Sequence, residues 1–272
     1  MQIFTHRPKD IFKSMYANRN LIYTLARGEI KGRYSGTTIG LIWSIINPLI
    51  MLTVYTFVFC VVFHARWNEE HTSRIEFAFL IYSGLIVFNF FYECINKAPY
   101  LIITNANYVK KIIFPLEILP IIYLTSALFH LFVSLSVMIF AHVIIFSSIS
   151  GTIFLLPVLL LPLIFYVLGF SWVLASLGAY IRDIAQLVGI ISTIIMYISP
   201  IFYPVSAVPK EFRFIITINP LTTLIEQIRD VVFFNKMPIL FDLLVEYLAS
   251  FIIAWIGFIW FQKTRKGFAD VI

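Results

Sequence analysis

The chain has 272 residues, of which 60% are hydrophobic, 17% are aromatic and only 12% are charged. Ordinary soluble domains are about 45–50% apolar and about 25% charged, so this composition argues against a soluble protein, a disordered chain and a nucleic-acid-binding protein. Lys and Arg exceed Asp and Glu by 20 to 14, which gives a formal net charge of +6. In a membrane protein, such an excess first indicates which side of the bilayer the loops occupy.

The first 38 residues precede every long apolar run and carry a basic amphipathic pattern. Leu21, Ile22 and Leu25 share one face of a helix with 3.6 residues per turn. This pattern predicts an N-terminal amphipathic interface helix at the cytoplasmic surface of a membrane, although a plain positively charged anchor would explain the same charges. The basic residues nearest the first apolar run are Arg27, Lys31 and Arg33.

Six apolar segments follow in residues 39–272. A membrane helix needs about 20 mainly apolar residues, and residues 118–181 form an uncharged run of 64, which is too long for one crossing. The polar cluster at 147–152 predicts a turn that divides this run in two. We therefore predict an all-α polytopic membrane protein with six transmembrane helices, at about 39–63, 77–92, 120–146, 153–180, 184–202 and 243–261.

Lys and Arg are distributed unequally between the two sides of these six spans. Fourteen of the 20 lie on the side of the two termini, and six lie on the other side. Together with the acidic residues, this distribution gives net charges of +8 and −2. Because loops rich in Lys and Arg stay in the cytoplasm, we predict that both termini are cytoplasmic.

The connection between the second and third spans, residues 93–117, is long for a turn between two helices. It mixes polar and apolar residues, as expected of a cytoplasmic segment that docks on a soluble partner. A merely solvated loop would have the same composition. The polar and aromatic residues of its central part are Asn105, Asn107, Tyr108, Lys110 and Lys111.

The outer connection between the fifth and sixth spans contains a periodic stretch that begins at Asn219 and Pro220. Proline at the first helical position is compatible with a helix start. The pattern predicts an outer re-entrant or amphipathic helix, whose role is either packing or a lid over an outer exit. Its apolar face comprises Leu221, Leu224, Ile225, Ile228, Val231 and Val232, and its opposite face comprises Glu226, Gln227, Arg229 and Asp230.

Residue patterns for bond-making chemistry are absent from the sequence. It holds no H-E-x-x-H, no G-x-S-x-G and no Cys/His metal spacing. His130 and His142 lie about 120° apart around one helix and do not form a shared face. The phosphate-binding pattern G-x-x-x-x-G-K-[ST] is also missing, so we expect no catalytic residue, no metal and no cofactor on this chain. Active transport would take its energy from another chain.

Aromatic residues are the positive signal in the spans. Most of them are explained by an interfacial aromatic belt and by core packing. A minority would line a path for a sugar polymer, because aromatic rings present apolar surface to the C–H groups of sugars. The candidates for such a path are Trp43, Tyr55, Phe59, Tyr197 and Phe202.

Several short motifs, spread in order along nearly the whole chain, give it a family resemblance. The chain resembles the membrane (permease) subunit of ABC-2-type polysaccharide exporters, the O-antigen (lipopolysaccharide) export permeases. The matching stretches are Gly32-Arg33-Tyr34, residues 40–44, Asn47-Pro48-Leu49, Ala65-Arg66-Trp67, residues 105–111, Phe114-Pro115-Leu116-Glu117, residues 199–204 and Asn219-Pro220-Leu221.

The resemblance implies an assembly and a direction of transport. Two copies of the chain would pair around a channel in a bacterial inner membrane, and two copies of a cytoplasmic ATP-binding subunit would bind ATP and Mg²⁺ beneath them. Their ATP hydrolysis would drive a polyprenyl-diphosphate-linked polysaccharide to the periplasm. No nucleic acid is involved.

The resemblance also implies roles for particular residues. Arg27, Lys31 and Arg33 would meet the diphosphate headgroup of the lipid. The loop at 105–111 would couple to the ATPase, and spans one and five would line the channel. The outer helix would form part of a periplasmic gate, with Pro220, Glu226 and Arg229 among its residues.

Other functions remain open at this stage. The nearest alternative is export of teichoic acid, capsule, or a small lipid or drug by the same architecture. A membrane enzyme acting on polyprenyl-linked sugars would need a cluster of Asp, Glu or His at one membrane face, and the sequence lacks one. A passive channel or structural scaffold would need no ATPase.

Overall fold

A computed structural model describes residues 8–62, 73–110, 114–147 and 149–271, and it confirms that the chain is all-helical, with no strand within these ranges. The helices are α1 Pro8–Ala17, α2 Arg19–Arg33, α3 Gly40–Val62, α4 Arg74–Thr104, α5 Ala106–Val109, α6 Leu116–Phe146, α7 Gly151–Tyr180, α8 Ile184–Ile198, α9 Arg213–Thr217, α10 Pro220–Val232 and α11 Leu240–Val271.

Within the described ranges, five helices are long and apolar enough to cross a membrane, namely α3, α4, α6, α7 and α11. They cover predicted spans one, two, three, four and six. The predicted fifth span corresponds to α8, which has 15 residues. At 1.5 Å per residue this helix is about 22 Å long, shorter than a hydrocarbon core of about 30 Å.

Local sequence accounts for two of the helix boundaries. Ser73 caps the start of α4, since its Oγ accepts a hydrogen bond from the Glu76 backbone N at 3.1 Å and Glu76 Oε2 accepts one from the Ser73 backbone N at 3.3 Å. The predicted turn at 147–152 is confirmed, because α6 ends at Phe146, Ser147 is left-handed (φ 51°), and α7 begins at Gly151.

The first four long helices alternate in direction, and α11 runs parallel to α7, as the hydrogen bonds from Tyr166 to Glu246 and from Ser176 to Thr264 show. Both ends of the chain therefore reach the same end of the bundle. Ser14 of α1 and Arg265 of α11 both bind Glu117 at the start of α6. We call this the terminal end of the bundle. The start of α4, the turn between α6 and α7, and α10 lie toward the opposite end, as the hydrogen bond from Thr152 Oγ1 to the Val231 carbonyl at 2.7 Å shows for the last two.

The core is built around α4 and around the pair formed by α7 and α11. Most of α4 between Phe77 and Ile95 is buried. The backbones of α7 and α11 touch, because a Cβ atom on Gly169 would lie only 2.6 Å from the carbonyl oxygen of Ile253. Gly257 lies against the backbone of Gly169 in the same contact. One face each of α3, α8 and α11 carries exposed apolar side chains.

Candidate functional site

The helix α2 attaches to the bundle through its apolar face and carries Arg33 and Tyr34 to the start of the first long helix. Ile22 and Ala26 are buried where α2 packs against α6. The Tyr34 hydroxyl lies 3.3 Å from Nδ1 of His130, and the two rings meet edge to face. The predicted amphipathic segment therefore has a packed side as well as an exposed, basic one.

Arg33 forms an ion pair with Glu93, and this pair closes one side of a cavity. The guanidinium Nη1 donates to Glu93 Oε1 at 2.6 Å. Partial burial lowers the pKa of Arg33, but the charge and hydrogen bond of Glu93 outweigh that effect and leave the pKa above its ordinary value. Arg27 and Lys31 are exposed. Of the three predicted headgroup cations, one is thus already neutralised by a neighbouring carboxylate.

A polar cavity of about 490 Å³ lies between α3, α4 and α6, next to this ion pair. Its lining runs from Arg33 and Glu93 to Tyr82 and Ser134. Tyr82 precedes Glu93 by 11 residues on α4, which corresponds to about 16 Å along the helix. The cavity therefore extends roughly half of the thickness of a hydrocarbon core, which is about 30 Å.

Two amide side chains to which the sequence analysis gave no role line this cavity. Asn47 on α3 and Asn89 on α4 are exposed, and neither amide makes a hydrogen bond to any described residue. They were missed because each is a single polar residue in a long apolar run, and the two are 42 positions apart. They could have been found from the rule that polar side chains inside membrane helices are costly and usually serve a function.

The predicted path aromatics divide into a cluster and two separate residues. Tyr55, Phe59 and Phe202 lie together, with ring centroids 6.5 Å apart for Tyr55 and Phe59 and 6.3 Å apart for Phe59 and Phe202. Trp43 lies at the start of the α-helical part of α3 and is half-buried. Tyr197, near the end of α8, is 63% exposed. Within the described residues, neither of these two rings packs on the cluster.

The predicted coupling segment forms short helical turns at the terminal end. Asn105 joins the end of α4 to α5, and its Nδ2 donates to the Leu101 carbonyl at 2.8 Å. Tyr108 stacks on Phe114 with ring centroids 4.3 Å apart and planes within 9°. Asn107 and Lys110 are exposed, and Lys111 lies outside the described residues.

A second polar cluster, which the sequence analysis did not identify, fixes this segment to the rest of the bundle. Arg265 Nη1 donates to Glu117 Oε2 at 2.6 Å, and Nη2 donates to the Phe114 carbonyl at 2.9 Å. Ser14 Oγ donates to Glu117 Oε1 at 2.9 Å, and Trp172 Nε1 donates to the Glu117 carbonyl at 3.0 Å. The cluster joins α1, α6, α7 and α11, and its charged side chains are about 90% buried.

The helix α10 differs from the predicted two-faced helix. Pro220 occupies its first position, and the Asn219 side chain caps it by accepting from the Leu221 backbone N at 3.1 Å. Glu226 is half-buried, and Arg229 and Gln227 are buried. The sequence analysis placed Gln227 and Arg229 on the face opposite the apolar residues, yet both are buried, because α10 packs into the bundle on more than its apolar stripe.

The buried guanidinium of Arg229 explains why α10 sits where it does. It donates to the carbonyl oxygens of Leu80 at 3.0 Å, Pro200 at 2.6 Å and Ile201 at 2.9 Å. Gly84 provides the space, since a Cβ atom there would lie 2.9 Å from Arg229 Nη2. Arg229 thus joins α10 to α4 and to the chain that follows α8.

The chemical capacity of these sites is binding and positioning. In the part of the chain that the structure describes, no group of three or more His, Cys, Asp and Glu side chains could hold a metal ion. The polar cavity offers amides, hydroxyls and one internally neutralised ion pair. The cluster around Glu117 offers rigid attachment for the segment at the terminal end.

Comparison with known proteins gives a family for most of the chain. The family model described as "ABC-2 type transporter" matches residues 20–233. The chain is 24% identical over 264 residues to the O-antigen export system permease protein RfbA of Myxococcus xanthus, which covers 96% of this chain and 99% of that protein.

Two proteins from Klebsiella pneumoniae with the same name are also similar to the chain. One is 24% identical over 255 residues, and the other is 25% identical over 254 residues. Each alignment covers 93% of this chain and 95% of the relative. These matches confirm the family resemblance that the short motifs indicated.

Proposed function

Because the chain belongs to the ABC-2 type transporter family, we propose that it is the channel-forming permease of an exporter that carries a polyprenyl-diphosphate-linked polysaccharide, of the O-antigen type, out across the bacterial inner membrane. The chain is a transporter membrane subunit and not an enzyme. The observation that carries the choice of substrate is the match, over nearly the whole chain, to three proteins named as O-antigen export permeases.

The proposed topology has six crossings with both termini in the cytoplasm. Five crossings are the long apolar helices, and the sixth is α8 with the residues that follow it to Ile201. Fourteen of the 20 Lys and Arg residues then lie on the cytoplasmic side. In this arrangement the terminal end faces the cytoplasm, and α10 is a re-entrant helix of a periplasmic gate that contains Pro220, Glu226 and Arg229.

The proposed assembly contains two copies of this chain and two copies of an ATP-binding subunit. ATP and Mg²⁺ bind to that partner, and this chain binds no cofactor. Asn105, Asn107, Tyr108, Lys110 and Lys111 belong to the surface that meets the partner. Movement of this surface is passed through Phe114 and Glu117 to α6 and, through Arg265, to α11, because these residues are directly bonded.

The exposed cations of α2 have a separate proposed role. Arg27 and Lys31 attract the lipid diphosphate to the inner mouth of the channel, since Arg and Lys bind phosphate groups through charge-assisted hydrogen bonds. Replacing both residues with Gln should leave membrane insertion unchanged and reduce polysaccharide at the cell surface. Normal surface polysaccharide in such a strain would contradict this role.

The experiment that tests the function is deletion of the gene, followed by gel analysis of surface polysaccharide. We expect the surface polysaccharide to disappear and to return when the unaltered gene is supplied on a plasmid. Unchanged polysaccharide in the deletion strain would overturn the proposed function. The resulting pattern on the gel also separates O-antigen from capsule or teichoic acid as the exported polymer.

The coupling surface is tested by copurification of the ATP-binding subunit. Lys110→Glu should reduce its recovery at least fivefold, because Lys110 is exposed on the segment proposed to meet it. The matched control is Lys263→Glu, an equal change of charge at an exposed position near the end of α11. Equal recovery with the two variants would count against a specific docking role.

A further inference from the structure

The polar cavity contains two exposed amide side chains, which are unusual on membrane helices. Asn47 and Asn89 point their amides to accessible space on two otherwise apolar helices, and no described residue accepts or donates a hydrogen bond to either. In hydrocarbon there is no water to replace such bonds, so exposed amides do not face lipid tails. These two side chains must therefore face water, a polar cargo or another protein surface.

Both amides lie farther from the terminal end than the Arg33–Glu93 ion pair. Asn89 precedes Glu93 by four residues, about one helical turn, and Asn47 lies seven residues, about two turns, after the start of α3. They thus lie beyond the Arg33–Glu93 ion pair on the way toward the middle of the bundle. A cargo that enters at the terminal end would meet the ion pair first and the two amides next.

The charge of the cavity selects among possible cargoes. The charged residues in its lining are Arg33 and Glu93, and they neutralise one another across 2.6 Å. A polymer with one phosphodiester in each repeat would find no free cation here. An amide, by contrast, offers two donors and an acceptor, which match the mixed donor and acceptor character of sugar hydroxyls.

The volume and the remaining lining agree with a sugar. At about 490 Å³ the cavity lies within the range of about 300–1,000 Å³ typical of small-molecule sites. Phe90 and Tyr92 add aromatic surface, and Ser134 adds a hydroxyl. Aromatic surface beside amides and hydroxyls suits the C–H faces and the hydroxyl edges of a pyranose ring.

We infer that Asn47 and Asn89 form a subsite that binds uncharged, hydroxyl-rich sugar units of the exported polymer as they enter the permease. The inference rests on the proposed function and sharpens it, because it names the chemical class of polymer that this cavity accepts. The subsite positions the glycan beyond the inner mouth and favours neutral glycans over polymers that carry a phosphodiester in each repeat.

The test is the double variant Asn47→Leu with Asn89→Leu in a strain deleted for the chromosomal gene. Leucine suits a membrane helix, so insertion should be preserved. We expect surface polysaccharide, measured by gel, to fall at least tenfold, while the membrane level on immunoblots and the crosslinked dimer stay as in the unaltered protein. A second variant, with Ser at both positions, keeps hydrogen-bonding groups and should retain at least a third of the surface polysaccharide.

The matched control is Thr53→Leu on the same helix. Thr53 is exposed, but its hydroxyl donates to the Leu49 carbonyl of its own helix at 2.8 Å, so its loss should leave export unchanged. Normal export by the Leu double variant would overturn the subsite and leave the proposed function standing. Parallel loss of export and of the dimer would also overturn it, since the amides would then belong to the contact between copies. Normal polysaccharide in the deletion strain would overturn both.

Discussion

The pair formed by α7 and α11 is packed more closely than α3 and α8, two helices that we together call the wall. In the pair, glycine backbones touch at Gly169 and Gly257, and the pair is tied to α6 through Glu117. Exposed apolar side chains do not separate the two regions, since Ile45 of α3, Ile190 of α8 and Ile256 of α11 are all about half exposed. The difference lies in the backbone contact, and it teaches that α7 and α11 form a scaffold, whereas the glycines of α3 and α8 make no such contact.

The ion pair that ties the scaffold to α6 and the ion pair beside the cavity also differ in burial. The ion pair of the scaffold, Glu117 with Arg265, is about 90% buried, whereas in the ion pair beside the cavity Arg33 is 46% exposed and Glu93 is 23% exposed. Each wall helix has a side-chain hydrogen bond to α4, from the Tyr82 hydroxyl to the Pro48 carbonyl of α3 at 2.9 Å and from Asn96 Nδ2 to Ser192 Oγ of α8 at 3.0 Å. Helices that move relative to one another in transport need contacts of this second kind, because weak contacts can exchange.

The largest loss of stability is expected from adding a methyl group where the backbones of α7 and α11 touch. Gly169→Ala places a Cβ atom 2.6 Å from the Ile253 carbonyl, and backbone cannot rotate away as a side chain can. Overpacking costs about 1–3 kcal/mol, and we expect the upper end of that range, measured as a lower apparent melting temperature in detergent and a lower membrane level.

The control for this prediction lies in the wall. Gly189→Ala on α8 would meet only the Asn96 side chain, at an ordinary 3.7 Å. Alanine is also a better helix former than glycine by up to about 1 kcal/mol, so this variant should be neutral or slightly more stable. Equal loss of stability in the two variants would contradict the division into scaffold and wall.

A smaller effect is expected from breaking the two ion pairs. Arg265→Gln leaves the buried Glu117 carboxylate without its cation. Breaking a buried pair costs at most about 3–5 kcal/mol, and because Ser14 still donates to Glu117 we expect a loss below the ~3 kcal/mol expected for Gly169→Ala. Arg33→Gln removes a partly exposed pair, which is typically worth about 0–1 kcal/mol. The melting temperatures of the two purified variants measure both losses of stability. A larger loss for Arg33→Gln than for Arg265→Gln would contradict the assignment of Arg265 to the scaffold.

The smallest expected effect concerns the hydrogen bond between α4 and α3. The Tyr82 hydroxyl donates to the Pro48 carbonyl at 2.9 Å, and a typical hydrogen bond contributes about 0.5–1.5 kcal/mol. Tyr82→Phe should therefore lower stability by no more than that amount. Tyr197→Phe, at a largely exposed ring, is the control and should leave the melting temperature unchanged; a loss above about 3 kcal/mol for Tyr82→Phe would place α3 within the scaffold.

Much of the fold was predictable because a membrane helix can be recognised from its own run of apolar, uncharged residues. Runs of uncharged residues gave the positions of the five long helices, and the polar cluster at 147–152 gave the turn between α6 and α7. The helical start at Pro220 followed from its sequence as well. The length of α8 and the continuation of α4 through Lys97 to Thr104 were not apparent, because charge marks where a helix leaves the bilayer and not where it ends.

The site was predictable only in part, and Arg229 shows why. The sequence analysis placed it on the face opposite the apolar residues, which indicated exposure, although it lies four residues after Ile225 and three before Val232 and so borders the apolar stripe. Its burial depends on carbonyl oxygens of Leu80, Pro200 and Ile201, which lie 28 or more residues away, and on the space left by Gly84. The periodicity of a helix predicts which of its faces is apolar. It does not predict which other segments of the chain pack against the remaining faces.

The sequence by itself determined that this is a helical membrane protein, that its basic loops are gathered on one side, and that its motifs are those of an ABC-2 type permease. These properties follow from local composition, because the bilayer sorts residues by polarity. The tertiary structure alone decided that Glu117 meets Arg265, 148 positions away, and that Asn47 and Asn89 face one cavity. Contacts between distant helices depend on how the bundle packs, which no single stretch of sequence contains.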